Sequence, residues 1–406
     1  MTDAARIVVV GGGAIGCGVA FQLAEAGVTD VLVLEKEPAL CAVTSAQAAG
    51  LVGQVRSSVE RTRLAMWSVA TFSRLERESE VKPGWRQTGS LRIAQTPERV
   101  KEFHHLIDVA HRAGLEVALL DREAAHRMWP ELDFRPARAI LWCPTDGYLQ
   151  PADLVASYRH EAARRGVRFR TGVRVTGFRK KGGRIVAVET EEGPVGCEYA
   201  IDAAGAHGYH LARMAGLDLP IVPVRHHYIV TTPTGHLRPE MPVLRLPDAT
   251  LYARAEMQAL LLGGWEPQAL SLDPRTYGPA DPLPPIEEDW PVLATFMENF
   301  RPFAGPLADQ PVRRVFTGWP TFTPDGRFVI GESSEVPGFV CAVGCNAHGV
   351  SGSAGIGRHL VESLFEKTPS AYVKSLSPDR FAGGFDWAEA ERAARRVLET
   401  YYAIGH

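Results

Sequence analysis

The chain has 406 residues, 45% of them hydrophobic and 22% charged, enough apolar material for one large core or two modest ones; a disordered tail protein is excluded. Lys plus Arg number 44 and Asp plus Glu 47, so the formal charge of −3 offers no basic excess to hold a phosphate backbone, and nucleic acid is not an expected partner. Six cysteines without a CxxC pair, an N-terminus carrying Asp3 whose apolar run stops after Val10, and no stretch of about 18 apolar residues together predict a cytoplasmic protein with reduced thiols and neither signal peptide nor membrane span.

Ile7–Val10 is a β-branched run that enters glycine directly, and Val19, Ala20, Leu23 and Ala24 then recur at helical spacing as far as Gly27. Strand, tight turn and helix follow. In the turn, Gly11, Gly13 and Gly16 fill the places of G-x-G-x-x-G, with Ala14 and Ile15 between them; this is the fingerprint that lets a backbone approach a pyrophosphate at a helix N-terminus. A second apolar strand, 31–34, leads to Glu35 and Lys36, and an acid at that distance can take the two ribose hydroxyls of an adenosine. A dinucleotide is the expected ligand, although NAD and FAD share the pattern.

Further along, strands are expected at 90–94, 224–231, 251–253 and 260–264, and a helix at 154–166 followed by one strand over 167–178. Residues 267–291, rich in proline and acids, read as a surface excursion. Gly344, Gly349, Gly352, Gly355 and Gly357 precede a helix with Leu360 and Leu364, which suits backbone amides laid against a flat ring. A docked terminal helix is expected over 386–402.

Thr44-Ser45-Ala46-Gln47-Ala48-Ala49-Gly50-Leu51, the run from Pro144 to Pro151, Ala203-Ala204-Gly205, Thr323-Pro324-Asp325 and the segment from Gly344 to Gly357 together resemble the D-amino-acid-oxidase (DAO) superfamily of flavoproteins, most of all the flavin half of sarcosine and dimethylglycine dehydrogenases. That resemblance implies an α/β fold: a Rossmann-type FAD-binding domain (1–84, 144–220 and 313–370) interleaved with an α+β substrate domain carrying a mixed or antiparallel sheet (85–143 and 221–312), and a helical tail (371–406). It also implies FAD contacts at Gly11, Gly13, Ala14, Ile15, Gly16, Glu35, Lys36, Thr44, Ser45, Gln47, Ala49, Gly50, Leu51, Val173, Ala204, Gly205, Gly344, Asn346, His348, Gly349 and Val350. Where the dehydrogenases carry a flavin-linked histidine this chain has Gln47, and where monomeric sarcosine oxidases carry a linking cysteine it has Gly318, so the FAD is expected to be noncovalent.

For substrate and chemistry the candidates are His348, His226, Tyr228, Arg56, Tyr252 and Arg254, with no metal. Arg56 resembles the arginine that grips substrate carboxylate in sarcosine oxidases; Val350-Ser351 stand where a second cation is found there. Strand alternation puts His226 with Tyr228, and Tyr252 with Arg254, on shared faces. Trp265, Trp319 and Phe322 are candidates for an aromatic cage around an alkylated amine.

The implied activity is oxidation of a secondary or tertiary amine, an N-methyl or N-alkyl amino acid, by hydride transfer to flavin N5, giving an iminium that hydrolyses to aldehyde and amine. Deamination of a primary amino acid, and a flavin subunit of a heteromeric sarcosine or opine-type oxidoreductase with partner subunits, stay open beside it. Oxygen or an electron-transfer protein would reoxidise the flavin; Leu260 to Gly263 before Gly264-Trp265 lack the lysine that promotes the oxygen reaction in monomeric sarcosine oxidase. The sequence also ends where the long dehydrogenases lead into a folate-binding domain, so transfer of a one-carbon unit within the same chain is not expected.

Overall fold

The structure is a computed structural model that describes residues 3–404. Its organising layer is a six-stranded sheet in the order Val329–Glu332, Phe339–Val343, Tyr199–Asp202, Ile7–Val10, Val31–Glu35 and Arg168–Thr171, parallel except at the Val329–Glu332 edge. Ile7–Val10 is buried on both faces: Ile7 and Val9 join one apolar cluster, Val8 and Val10 another. A strand covered on both sides has no polar face, which is why it reads as an unbroken apolar run.

Helices Ala14–Glu25, Pro151–Ala163 and Ser353–Phe365 supply residues to the first of these clusters. The first and last of them touch backbone to backbone. A Cβ on Gly357 would lie 2.8 Å from the Gly18 carbonyl, and one on Gly355 2.4 Å from the Leu64 carbonyl. Those two glycines therefore serve helix packing, which corrects the expectation that the whole glycine-dense segment lies against a ring.

An eight-stranded sheet forms the second layer, in the order Val312–Gly318, His226–Thr231, Ala259–Gly264, Leu251–Glu256, Val243–Leu246, Ser90–Ala94, Ala139–Cys143 and Ala118–Leu120. All its neighbours are antiparallel except Val243–Leu246 beside Ser90–Ala94. One face is sealed by helix Trp290–Ala304 through Leu293, Phe296, Phe300 and Phe303; the other turns toward the first layer. Together the layers make the α/β arrangement with a mixed, largely antiparallel second sheet expected for a DAO-like chain. Val312–Gly318 belongs to this second sheet, not to the nucleotide-binding side of the division drawn at 312/313.

The single strand expected over 167–178 is two strands. Arg168–Thr171 ends the six-stranded sheet, Gly172 turns at φ +72°, and Val175–Lys181 enters a separate four-stranded sheet. Residues 267–291 carry one short helical turn, Pro274–Thr276, before the Trp290–Ala304 helix. The terminal helix spans Trp387–Glu399; the Asp386 side chain accepts from the Glu389 N–H, and Trp387, Ala390, Ala394 and Leu398 form its buried stripe. Among the described residues, no helix is long and apolar enough to cross a membrane, and no cluster of side chains could hold a metal ion.

Candidate active site

The carboxyl ends of Ile7–Val10, Val31–Glu35, Tyr199–Asp202 and Phe339–Val343 open on one cavity of about 270 Å³, which continues to the eight-stranded sheet. Ligands of open parallel sheets bind at this edge. At one end Glu35 accepts hydrogen bonds from the Gly12 N–H (2.6 Å) and the Glu37 N–H (2.9 Å), and burial raises its pKa above the usual carboxylate range. A carboxylate has about four acceptor positions, so acceptor capacity remains for two ribose hydroxyls. Lys36, Val173 and Arg174 line the same end.

Next to it the helix Ala14–Glu25 begins without a side-chain cap at Gly13; Ser45 Oγ instead accepts from the Ala14 N–H (3.0 Å). The remaining first-turn N–H groups have no partner inside the helix and suit a pyrophosphate. Gly11 turns at φ +116°, and a Cβ on Gly16 would sit 1.9 Å from the Gly11 carbonyl, so no larger residue fits this cradle. The cradle and the buried acid fit the adenosine and pyrophosphate of FAD. Thr44, Gln47, Ala49, Gly50, Leu51, Ala204, Gly205, Gly349 and Val350 line the cavity with them.

The far end is aromatic and cationic. His348 is buried within the turn before the Ser353–Phe365 helix, and its Nδ1 lies 2.7 Å from the Asn346 carbonyl. A carbonyl only accepts, so Nδ1 carries the proton and Nε2 accepts from the Tyr401 hydroxyl at 3.0 Å. Burial, followed by the positive charges of Arg56, Arg61 and Arg245, holds the His348 pKa well below 6.5, so this ring is neutral at ordinary pH. Tyr401 stacks on Trp265 at 3.7 Å between ring centres and 11° between planes, and Trp265 stacks in turn on His226 at 4.6 Å. His226 Nε2 shares a 2.7 Å hydrogen bond with the Tyr252 hydroxyl; burial pushes the His226 pKa down to about 3 and that of Tyr252 well above 10.

Arg56 also reaches the cavity, where its guanidinium donates to the Val55 carbonyl (3.0 Å); desolvation lowers its pKa to about 10, still cationic at neutral pH. Arg245 lines the cavity beside it and donates to the Tyr402 hydroxyl at 3.3 Å.

Five expected residues stand off the cavity wall. Tyr228 points the same way as His226 but one pleat further along, where it stacks on Phe316 at 4.9 Å. Arg254 donates to the Ala49 carbonyl (2.9 Å) and pairs with Glu256, so it braces the Ala49–Gly50 turn from behind. Asn346 is spent on the backbone: its Nδ2 donates to the Gly344 carbonyl (2.7 Å) and its Oδ1 accepts from the Thr323 N–H (3.1 Å). Gly344 packs against the Thr323 side chain, and Gly16 against Gly11. Of the expected cage, Trp265 and Trp319 line the cavity, while Phe322 is core.

Four contributors were not legible in the sequence. Tyr401 and Tyr402 arrive from beyond the terminal helix, and nothing local marks them as more than its frayed end. Arg245 is one of 44 basic residues, on a strand of four residues that show no alternation. The segment 267–291, read as a surface excursion, closes over the cavity with Pro279 and Leu283, fastened by Tyr277 Oη donating to the Ala206 carbonyl (2.6 Å) and Trp319 Nε1 donating to the Pro284 carbonyl (2.9 Å).

Comparison with known proteins adds an independent line. The family described as FAD dependent oxidoreductase (DAO) matches residues 6–363. The chain is 32% identical over 378 residues to the 4-methylaminobutanoate oxidase (formaldehyde-forming) of Paenarthrobacter nicotinovorans, covering 93% of this chain and 46% of that protein. It is 29% identical over 408 residues to the mitochondrial dimethylglycine dehydrogenase of Rattus norvegicus, covering 98% and 47%. The chain thus spans about half the length of the curated relatives it matches. Among solved structures, L-proline dehydrogenase from P. horikoshii superposes with a TM-score of 0.83 at 24% identity, over 95% of this chain and 100% of that one, a likeness of fold.

Proposed function

Because the chain belongs to the DAO family of FAD-dependent oxidoreductases, we propose that it oxidises an N-alkylated amino acid, most simply an N-methyl one, to an iminium that water cleaves to an aldehyde and the shortened amine. FAD, held without a covalent link, supplies the hydride acceptor. At the two positions where relatives would carry a linking side chain stand Gln47 and Gly318, and they face each other: a Cβ on Gly318 would lie 3.5 Å from that of Gln47.

The observation that carries the reading is the neutral His348–Tyr401 pair set beside the Arg56 and Arg245 guanidiniums. An alkylammonium has a pKa near 10 and must lose its proton before its α C–H can leave as hydride. Tyr401 can take that proton on its oxygen while passing its own to His348 Nε2. Arg56 and Arg245 hold the substrate carboxylate and so fix the carbon relative to the cofactor. Their charges also suppress His348 basicity; a bound carboxylate neutralises them, and the base gains strength when substrate is present.

The names of the two relatives, one acting on a methylaminobutanoate with release of formaldehyde and one on dimethylglycine, agree with an N-methyl substrate. The test is anaerobic titration of the holoprotein with N-methyl, cyclic and primary amino acids, following loss of oxidised-flavin absorbance and identifying products. Bleaching by N-methyl amino acids with stoichiometric formaldehyde supports the proposal. Bleaching confined to primary amino acids with release of ammonia and a keto acid replaces it with deamination.

A further inference from the structure

Arg99, on the helix Pro97–Ala113, is only 5% exposed and stands outside the cavity wall. Its guanidinium is engaged in three directions: Nη2 donates to the Tyr402 carbonyl (2.7 Å), Nε to Asp248 Oδ1 (3.0 Å) and Nη1 to Glu102 Oε2 (2.7 Å). Glu102 belongs to the same helix, whereas Tyr402 and Asp248 come from 303 and 149 residues further along the chain.

Asp248 sits in the short turn Pro247–Ala249, between the strand Val243–Leu246 that carries Arg245 and the strand Leu251–Glu256 that carries Tyr252. The same carboxylate grips the start of the Arg99 helix, its Oδ2 accepting from the Gln95 N–H (2.7 Å) and its Oδ1 from Thr96 Oγ1 (3.3 Å). Two residues on, Thr250 turns at φ +56°, and its carbonyl accepts from the Trp265 N–H at 2.8 Å. The Trp265 indole N–H has no partner among the described residues, so that backbone bond and the neighbouring rings orient the side chain.

Both rings stacked at the substrate end therefore lead back to one guanidinium. Tyr401 is one residue from the carbonyl that Arg99 holds, and Trp265 hangs from the turn that Arg99 holds through Asp248. The Tyr401 and Ala403 N–H groups bond only within their own segment, to the Leu398 and Thr400 carbonyls. Among the described residues, Arg99 makes the hydrogen bond that ties this terminal backbone to another element. Proton transfer needs its heavy atoms within hydrogen-bond reach, so a small drift of the Tyr401 turn would cost rate without touching the cofactor.

We infer that Arg99 is a positioning residue: by holding the terminal turn and the Asp248 turn at once, it sets Tyr401 against Trp265 and keeps the Tyr401 hydroxyl on His348. Its importance to the reaction rests on the reading above that Tyr401 moves the amine's proton.

Arg99→Lys keeps the charge opposite Asp248 and Glu102 but lacks the planar fork that spans separate acceptors. Two readouts are taken on the FAD-loaded protein. Stopped-flow reduction by N-methylglycine or N,N-dimethylglycine, whichever is faster, should slow about 10-fold, with a pH profile displaced toward that of Tyr401→Phe. Adding Arg99→Lys to Tyr401→Phe should change the rate by no more than about 2-fold, because both act on one step. Hydrogen exchange should quicken at least about 10-fold at residues 400–404 and at Trp265, and stay within about 2-fold over residues 387–398. A slower reaction with an unaltered pH profile, or losses that multiply in the double variant, would make Arg99 a general structural group and overturn the inference. Unchanged exchange at both segments overturns it whatever the rates do. If neither amine bleaches the flavin, or Tyr401→Phe reacts as the unaltered protein does, the reading of the reaction falls instead, and exchange alone decides whether Arg99 places the stack.

Discussion

The Tyr401 hydroxyl donates to His348 Nε2 across 3.0 Å, joining the last turn of the chain to the glycine-rich segment 53 residues earlier. Because the other His348 nitrogen is committed to the Asn346 carbonyl, Tyr401 is the proton donor this ring sees on its cavity side. Tyr401→Phe keeps the ring stacked on Trp265 and removes only the hydroxyl. The rate of flavin bleaching at saturating amine should fall about 10²-fold, the lower range for loss of a general acid–base group, with flavin affinity unchanged. Its pH profile should also change: without the relay, the rate climbs with the substrate's own amine pKa. Stopped-flow reduction across pH checks both, and an unaltered rate and profile would remove Tyr401 from proton transfer.

The nucleotide end of this site was readable because it is built locally. Gly11, Gly13, Gly16 and Glu35 lie within 25 residues, and each is demanded by a backbone or a single acceptor. The far end is assembled from His226, Tyr252, Trp265, His348 and Tyr401, whose meeting depends on how two sheets and a terminal helix dock. Alternation placed His226 and Tyr228 on one face correctly, but only pleat position along the strand decides which of them meets the cavity. Glycine density was the misleading signal, since close helix–helix contact and close ligand contact select the same residue.

His227 faces away from the cavity, edge-on to Phe296, with neither ring nitrogen hydrogen-bonded. Burial, then Arg225, pushes its pKa down to about 4, below the 6.5 of an unfolded chain. The unfolded state thus binds the proton more readily, and this histidine's stabilising contribution is complete above pH 6.5 and drains as pH falls toward about 4. Asp202, raised to about 7 by burial, has the opposite sign and loses stability as pH climbs through that value. His227→Leu removes the acid-side loss. Its urea midpoint relative to the unaltered protein should improve as pH drops from 7.5 to 5.5, by up to about 1.4 kcal/mol for each pH unit below 6.5. A pH-independent difference would mean that His227 takes up its proton in the fold as readily as in the unfolded chain.

The proline-rich strap is fastened over the cofactor cavity by several hydrogen bonds, among them those made by Tyr277, the Asp281 carbonyl and the Pro284 carbonyl, and loss of one should loosen its hold on the cofactor. Tyr277→Phe breaks the hydrogen bond to the Ala206 carbonyl and leaves the ring against His207 and His210. A single neutral hydrogen bond is worth about 1 kcal/mol, which predicts roughly 5-fold faster FAD release. Flavin fluorescence after dilution into apoprotein scavenger measures this directly. Unchanged release with a displaced amine profile would instead make the strap part of the substrate wall.

Two glycines separate cofactor binding from packing. A Cβ on Gly16 collides with the Gly11 carbonyl and must move the turn that carries the pyrophosphate, whereas a Cβ on Gly355 collides with the Leu64 carbonyl, away from the cavity wall. Both substitutions overfill a close backbone contact, so Gly16→Ala and Gly355→Ala should each lose about 1–3 kcal/mol of stability in the apoprotein. Only Gly16→Ala should also weaken FAD, by 10-fold or more beyond what the stability loss explains, because its effect falls on the cradle itself. Equilibrium unfolding of the two apoproteins, paired with FAD titrations, separates the terms. Equal weakening of FAD in both would show that a shift of the Ser353–Phe365 helix against Leu64 is passed on to the cradle.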